Sequence, residues 1–178
     1  MRPEMDQQRI EAVWGERANR LSKRAVLHGA GQNALPVIVL GVGKERYGID
    51  LPDVAEVLPP VRVTPVPGAA ALFSGVINVH GEIRPVIDLR RLLGIEMVSN
   101  GDLARVILLR KEGREMGLQI DRVEQIRWIG AGDLQSAGNG DAAWSQHLTQ
   151  HIKGSTKDLL MLLSTEALFA ELHTGVTT

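Results

Sequence analysis

The chain has 178 residues, of which 44% are apolar, and its 20 basic and 21 acidic residues leave a net charge of −1. This composition predicts a globular protein, and the balanced charge argues against the broad basic surface that nucleic-acid binding requires. The absence of cysteine excludes disulfides, thiolate zinc sites and cysteine nucleophiles. Without a signal peptide or a membrane-length apolar run, we expect a cytoplasmic protein that is not inserted into a membrane.

The N-terminal part of the chain carries its one long helical pattern. Between residues 7 and 27, Ile10, Trp14, Ala18, Leu21 and Ala25 recur at spacings of four and three, which predicts an amphipathic helix. This helix either packs on its own domain or docks against a partner. We expect residues 1–34 to form a helical extension that ends in a Gly-containing linker, 28–33.

From residue 35 onward, short runs of Val, Ile and Leu alternate with Gly and Pro, which is typical of strands and turns. The predicted strands are Val37–Val42, Arg46–Asp50, Val54–Leu58, Val76–Val79, Ile83–Ile87, Arg105–Arg110, Glu115–Ile120, Glu124–Ile129 and Leu159–Leu163. Two short helices, Leu89–Leu93 and Thr165–Leu172, are expected to be capped by Asp88 and Ser164. The stretch from Pro59 to Pro67 predicts a connection or an edge, and residues 130–143 predict a mobile surface loop.

The most informative pattern is an internal repeat at an offset of 69 residues. Residues 37–57 align without gaps on residues 106–126, with five identities that include Gly48 on Gly117. After an insertion, residues 83–92 align on 159–168 at an offset of 76. The repeat predicts two similar β-lobes that close on themselves, and each glycine marks a bend or a close backbone approach.

Candidate chemistry in the sequence is weak. His147 and His151 are spaced to share a zinc ion on a helix, but the spacing indicates no third ligand and we expect two ordinary surface or loop histidines. Gly41-x-Gly43 leads into a strand and not into a helix, so it does not form a phosphate site. No catalytic constellation is recognisable, and the sequence therefore predicts an interaction module without enzymatic activity, metal or cofactor.

Three runs of residues carry a family resemblance. The block from Gly75 to Arg90, GVINVHGEIRPVIDLR, resembles the signature of the CheW-like chemotaxis coupling proteins. Upstream, Tyr47-Gly48-Ile49-Asp50-Leu51 with Val54, Glu56 and Val57 resembles a second characteristic run. Downstream, Ile152-Lys153-Gly154 and residues 159–169 are similar to the closing strand and helix of the family. The resemblance covers about residues 36–172.

The resemblance implies an all-β fold with short helices, in which two small five-stranded β-barrels are intertwined. We expect a CheW-like domain at 35–173, with a first lobe at 35–94, a second at 102–158, a closing strand and helix at 159–173, and a tail at 174–178. It also implies a non-catalytic adaptor between the cytoplasmic tip of a methyl-accepting chemoreceptor and a CheA-like histidine kinase, recruited to the membrane through receptor arrays. The alternatives are a small-ligand-binding β-barrel sensor, or a CheW-like scaffold of a pilus or other non-flagellar system.

The resemblance places receptor-binding residues at Val54, Glu56, Val57, Asn78 and His80, and leaves the kinase-binding residues unassigned. An alternative for Val54 and Val57 is that both belong to the core, and for Glu56 that it is a solvated strand residue. His80 departs from the family pattern, which usually has Arg at this position. Arginine is permanently charged, whereas histidine is near neutral at pH 7.

Overall fold

A computed structural model describes residues 34–95, 103–136 and 151–174 of the chain. The chain from Leu35 onward forms one compact unit. The helix predicted at residues 7–27 and the linker at 28–33 lie outside the described residues. None of the described helices is both long enough and apolar enough to cross a bilayer.

The described residues form eleven strands and two α-helices. The strands are β1 (Ala34–Val42), β2 (Glu45–Asp50), β3 (Val54–Val57), β4 (Phe73–Val79), β5 (Glu82–Asp88), β6 (Arg105–Lys111), β7 (Arg114–Ile120), β8 (Arg122–Gly130), β9 (Leu134–Ser136), β10 (Ile152–Thr156) and β11 (Leu160–Leu163). The helices are α1 (Leu89–Leu92) and α2 (Thr165–Thr174). All nine predicted strands and both predicted short helices are confirmed.

Both helix caps form as predicted. The Asp88 carboxylate accepts hydrogen bonds from the backbone N–H groups of Arg90 and Arg91 at the start of α1. At the start of α2, the Ser164 hydroxyl accepts from the Ala167 N–H at 3.3 Å. These side chains satisfy donors that the first turn of a helix leaves without an intrahelical partner.

The strands form two mixed sheets. The first sheet has the order β8-β1-β2-β11-β10-β9, and the second sheet has the order β3-β6-β7-β5-β4. Each contains one parallel pair, β2 with β11 in the first sheet and β7 with β5 in the second. The described part of the chain is therefore mostly β with few short helices.

Each sheet combines strands from both halves of the repeat. The β1–β2 hairpin lies between strands of the second half, and the β6–β7 hairpin lies between strands of the first half. The repeat offsets hold in the register, because Leu162 pairs with Gly48 and Val86 pairs with Gly117. The two halves are thus interlocked by exchange of their closing strands.

The two repeated glycines accommodate side chains from neighbouring strands, whereas the sequence predicted a bend or a close backbone approach. A Cβ atom on Gly48 would lie 2.6 Å from Leu162 Cδ2. A Cβ atom on Gly117 would lie 2.8 Å from Val106 Cγ1 and 3.1 Å from Val86 Cγ2. Any larger residue would therefore force these side chains to shift.

The core has three parts. A large central cluster takes buried residues from both sheets, including Leu40, Ile87 and Leu118, and it is covered in part by Leu168 and Phe169 of α2. Each sheet also has a small cluster of its own, around Val39 and Leu162 in the first sheet and around Ile77 and Leu108 in the second. Because both faces of the sheets are buried, their strands read as nearly continuous apolar runs.

The prediction of a mostly β fold with two similar halves is confirmed, but the two closed five-stranded barrels are not seen among the described residues. The first sheet has six strands, because β9, which lies inside the stretch predicted as a loop, pairs with β10. In the second sheet the Pro-rich segment occupies the corresponding place beside β4, where it makes only the bridge from Thr64 to Val76, and it makes a second isolated bridge from Val61 to Ala104. Proline cannot donate a ladder hydrogen bond, so this segment forms no strand. Within the described ranges, neither hydrogen-bond ladder closes into a barrel.

Two strands lacked a clear sequence signal. β10 contains Lys153, Gly154 and Ser155, which have little strand preference, and it is held by β11 on one side and β9 on the other. β9 is three residues long and lies beyond a short 3-10 turn, Ala131–Asp133. Both are defined by their pairing partners and not by their own composition.

Candidate partner-binding surface

Three of the predicted site residues lie on β3, an edge strand of the second sheet, where a β-bulge decides which way each side chain faces. Val54 pairs with Leu109, Glu56 with Leu108 and Val57 with Ile107, and the register shifts between Val54 and Glu56. Residues that pair directly share a face of the sheet. Val54 and Val57 are therefore on the same face as the central cluster, whereas Glu56 is on the face of the small cluster.

The structure separates the roles of the two valines. Val54 is half-buried and packs against the central cluster, which supports the core interpretation for this residue. Val57 is 49% exposed and does not belong to any of the buried clusters. Of the two, Val57 is the residue that a partner can reach.

Asn78 and His80 lie at the β4–β5 hairpin, at the other edge of the same sheet. His80 and Gly81 have φ angles of +52° and +90°, and both positive values fit a two-residue type I′ turn. Asn78 Oδ1 accepts a hydrogen bond from the Gly81 N–H at 2.8 Å. Asn78 therefore holds the turn that presents His80.

One contact joins the two edges of the second sheet. His80 Nε2 lies 3.1 Å from Glu56 Oε2, although β3 and β4 are at opposite ends of the strand order. The side chains are 77% and 41% exposed, so both are accessible to a partner. The structure thus brings Glu56, His80 and Asn78 together, with Val57 next to Glu56 in the chain.

A cluster of charged side chains lies on the same face of the second sheet as Glu56. Glu115 accepts from Arg110 Nε at 2.6 Å and from Arg84 Nε at 2.9 Å, and Arg84 also contacts Glu82. The hydrogen bond from Arg110, followed by that from Arg84, lowers the pKa of Glu115 below its usual value. The sequence did not indicate this cluster, because each charge alone reads as an ordinary solvated strand residue.

The structure describes only one of the two histidines that the sequence considered as ligands of a shared zinc ion. Among the described residues no group of three or more histidine and acidic side chains could hold a metal ion. His151 is buried and not on the surface as expected, and its Nε2 lies 3.0 Å from Glu171 Oε1 of α2. His147 lies outside the described ranges.

Comparisons with known proteins agree with this architecture. A family model described as the CheW-like domain matches residues 36–173. The chemotaxis protein CheW of Treponema pallidum is 29% identical over 120 residues, which cover 65% of this chain and 71% of the relative. Protein FrzA of Myxococcus xanthus is 30% identical over 114 residues, which cover 64% of this chain and 71% of the relative.

A solved structure has the same fold. The scaffolding protein TtCheW from Thermoanaerobacter tengcongensis aligns with a TM-score of 0.63 and 27% identity. The alignment covers 73% of this chain and 87% of that protein.

Proposed function

Because the chain belongs to the CheW-like family and is a non-catalytic scaffold of chemotaxis signalling, we propose that it couples the cytoplasmic tip of a methyl-accepting chemoreceptor to a CheA-like histidine kinase. In this proposal the protein acts on the cytoplasmic side of receptor arrays. It works by holding both partners, so its surfaces and not a catalytic site determine its activity.

The observation that carries the receptor part of the proposal is the contact between Glu56 and His80. It joins two exposed polar side chains from the two edges of the second sheet, and such side chains suit the rim of a surface that binds a partner helix. Val57, which is exposed and apolar, follows Glu56 on the same edge strand but on its opposite face. We assign direct receptor contacts to Glu56, Val57 and His80. Val54 supports the strand from the core side, and Asn78 fixes the turn.

The test is capture of a purified receptor signalling fragment by the full chain. Replacing Glu56 with Arg or Val57 with Asp should weaken capture by roughly tenfold or more, as expected for residues at the centre of an interface. The melting temperature should change little, since each side chain is about half-exposed and outside the buried clusters. Leu35→Asp, at an exposed position on β1 of the first sheet, is the matched control and should bind as the unmodified chain does.

Two further variants separate contact from support. Val54→Asp should destabilise the domain, because it places a charge against the central cluster, and it is therefore unsuitable as a binding test. His80→Arg should retain receptor capture, since arginine can also reach Glu56. If Glu56→Arg and Val57→Asp both bind the receptor fragment normally while folded, this surface is not the receptor site.

A small-ligand sensor predicts a different result. Thermal-shift measurements with a metabolite library should show no ligand that raises the melting temperature of the chain, because a scaffold binds no tight small molecule. A clear increase with one compound, together with failure to capture both receptor and kinase, would favour the sensor over the scaffold.

A further inference from the structure

Leu159, in the turn between β10 and β11, has two unfavourable properties at once. Its φ angle is +61°, in the left-handed region that disfavours a leucine side chain. Its side chain is also 72% exposed, the highest value among the exposed large apolar residues of the described ranges. Neither property contributes to folding, and strain of this kind is concentrated at functional sites.

The turn around Leu159 is held by several hydrogen bonds. The Leu159 N–H donates to the Thr156 carbonyl at 3.0 Å, and the Leu160 N–H donates to the Thr156 hydroxyl at 3.2 Å. Asp158 accepts from the Thr156 hydroxyl and from Arg127 Nη1, both at 2.5 Å. The backbone at Leu159 is therefore held in place, which lowers the entropy cost of ordering this turn against a partner.

The internal repeat gives Leu159 a counterpart in the second sheet. The offset of 76 residues aligns Leu159 with Ile83, which is 61% exposed and pairs with Asn78 on the neighbouring strand. Ile83 thus lies beside the surface assigned to the receptor. The first sheet presents an equivalent apolar side chain at the equivalent place.

The surroundings of Leu159 are positively charged. Arg46 Nη2 donates to the Asp158 carbonyl at 3.1 Å, Arg127 contacts the Asp158 carboxylate, and Lys157 is exposed in the same turn. Three cations against the carboxylates of Asp158 and of Glu45, which precedes Arg46 on β2, leave a local charge of +1. A complementary partner has an apolar pocket that accepts a leucine and is bordered by acidic side chains.

We propose that Leu159 is the anchor of the second partner-binding surface of this scaffold, and that it inserts into an apolar pocket with an acidic rim on the kinase. The inference rests on the proposed coupling function, which requires two separate surfaces. The surface at Glu56 and His80 belongs to the second sheet, whereas Leu159 belongs to the first. Binding at one of them therefore leaves the other available.

The test uses Leu159→Asn in the full chain, because asparagine tolerates the left-handed conformation and is polar. We expect kinase capture to fall by about tenfold or more while receptor-fragment capture stays within about twofold. We expect the melting temperature to rise by about 1–3 °C, because backbone strain is relieved. If Leu159 served folding alone, Leu159→Asn would lower the melting temperature and leave kinase capture unchanged.

A second variant tests the charge around the anchor. Lys157→Glu should weaken kinase capture several-fold at low salt without affecting the melting temperature, since an acidic rim would then meet an added carboxylate. Ile83→Asn is the matched control, and it should leave kinase capture unchanged.

The outcomes distinguish this inference from the proposed function. If the unmodified chain captures neither receptor nor kinase, the proposed function fails, and the inference fails with it. If the chain captures both and Leu159→Asn leaves kinase capture unchanged, only the inference is overturned. A loss of receptor capture in place of kinase capture also overturns it.

Discussion

The two sheets of this domain share one arrangement of strands, and they differ most in what pairs with the last shared strand, β10 in the first sheet and β4 in the second. In each sheet, the second strand of an antiparallel hairpin pairs in parallel with a closing strand from the other half of the repeat. A glycine in that second strand lies in the parallel pairing. The first sheet adds β9 beside β10. The second sheet has only a single bridge at Thr64 in the same place.

Charged residues at equivalent positions of the two sheets have opposite signs. Arg46 on β2 aligns with Glu115 on β7 at the repeat offset. Arg46 pairs with Asp158, whereas Glu115 pairs with Arg84 and Arg110. The apolar ladder is thus common to both halves, but each half presents its own charges and turns. This difference gives the two sheets distinct surfaces.

The largest effect is expected at a pair of equivalent glycines, Gly75 and Gly154, next to the bulges of β4 and β10. Gly75 has a φ angle of +141°, and a Cβ atom there would lie 2.1 Å from the Thr64 carbonyl oxygen. Gly75→Ala should therefore lower the free energy of unfolding by more than about 3 kcal/mol or prevent folding. At Gly154 the nearest atom would be the Gln135 oxygen at 3.0 Å, so Gly154→Ala should cost about 1 kcal/mol.

Urea unfolding of both variants checks this comparison. Gly81→Ala is the control for backbone strain alone, because Gly81 has a φ angle of +90° but no atom within 4 Å of the added Cβ. It should cost about 1 kcal/mol. Equal losses in the free energy of unfolding for Gly75→Ala and Gly154→Ala would show that the two bulges tolerate an added Cβ atom equally, contrary to this prediction.

An intermediate effect is expected at an ion pair that has no counterpart in the repeat. Arg90 Nε donates to Asp121 Oδ1 at 2.8 Å, and Asp121 also accepts from the Gly43 N–H at 2.7 Å. The pair is nearly buried and connects α1 to the turns that flank β2 and β8. Arg90→Met should cost about 2–4 kcal/mol in the free energy of unfolding, because it leaves Asp121 without its main counter-charge.

Guanidinium-induced unfolding measures this loss, with exposed Arg62 as the matched position. Arg62→Met should change the free energy of unfolding by less than about 0.5 kcal/mol. If Arg90→Met were as stable as Arg62→Met, the pair would contribute nothing to the junction of the two sheets.

The smallest effect concerns Asp158, beneath the proposed anchor in the first sheet. Hydrogen bonds from Arg127 and Thr156 lower the pKa of Asp158 to about 2. Because the folded state lowers this pKa, the ionised Asp158 carboxylate contributes fully to the free energy of unfolding above about pH 4. This contribution is lost as the pH falls towards 2. The side chain is half-exposed, so the loss should be at most about 1 kcal/mol.

Urea midpoints measured at pH 5, 4, 3 and 2.5 check this dependence. Asp158→Asn should start less stable at pH 5 and show a shallower decline below pH 4, since its amide does not titrate. Parallel curves for Asp158→Asn and the unmodified chain would contradict the role assigned to this carboxylate.

Much of the fold was predictable because the repeated apolar runs, their glycines and the two helix caps are local signals. Gly48 and Gly117 mark the places where the parallel closing strands pair, and Asp88 and Ser164 mark both helix starts. β9 and β10 were not predictable, since their residues gain strand structure only from pairing. The candidate site was predicted as a set of residues, but the sequence does not reveal the bulge that puts Val54 and Val57 on one face, nor the packing that leaves Val57 the more exposed of the two.

The sequence by itself determined the family, the strand positions and the presence of two similar halves, because apolar spacing and turn residues act within a few positions along the chain. Only the tertiary structure decided that the halves exchange strands, that Glu56 meets His80 and that Leu159 is presented on a fixed turn. Each of these depends on contacts between residues that are distant in the chain or on a backbone conformation set by several hydrogen bonds. Such relations arise from packing in three dimensions and have no local signature.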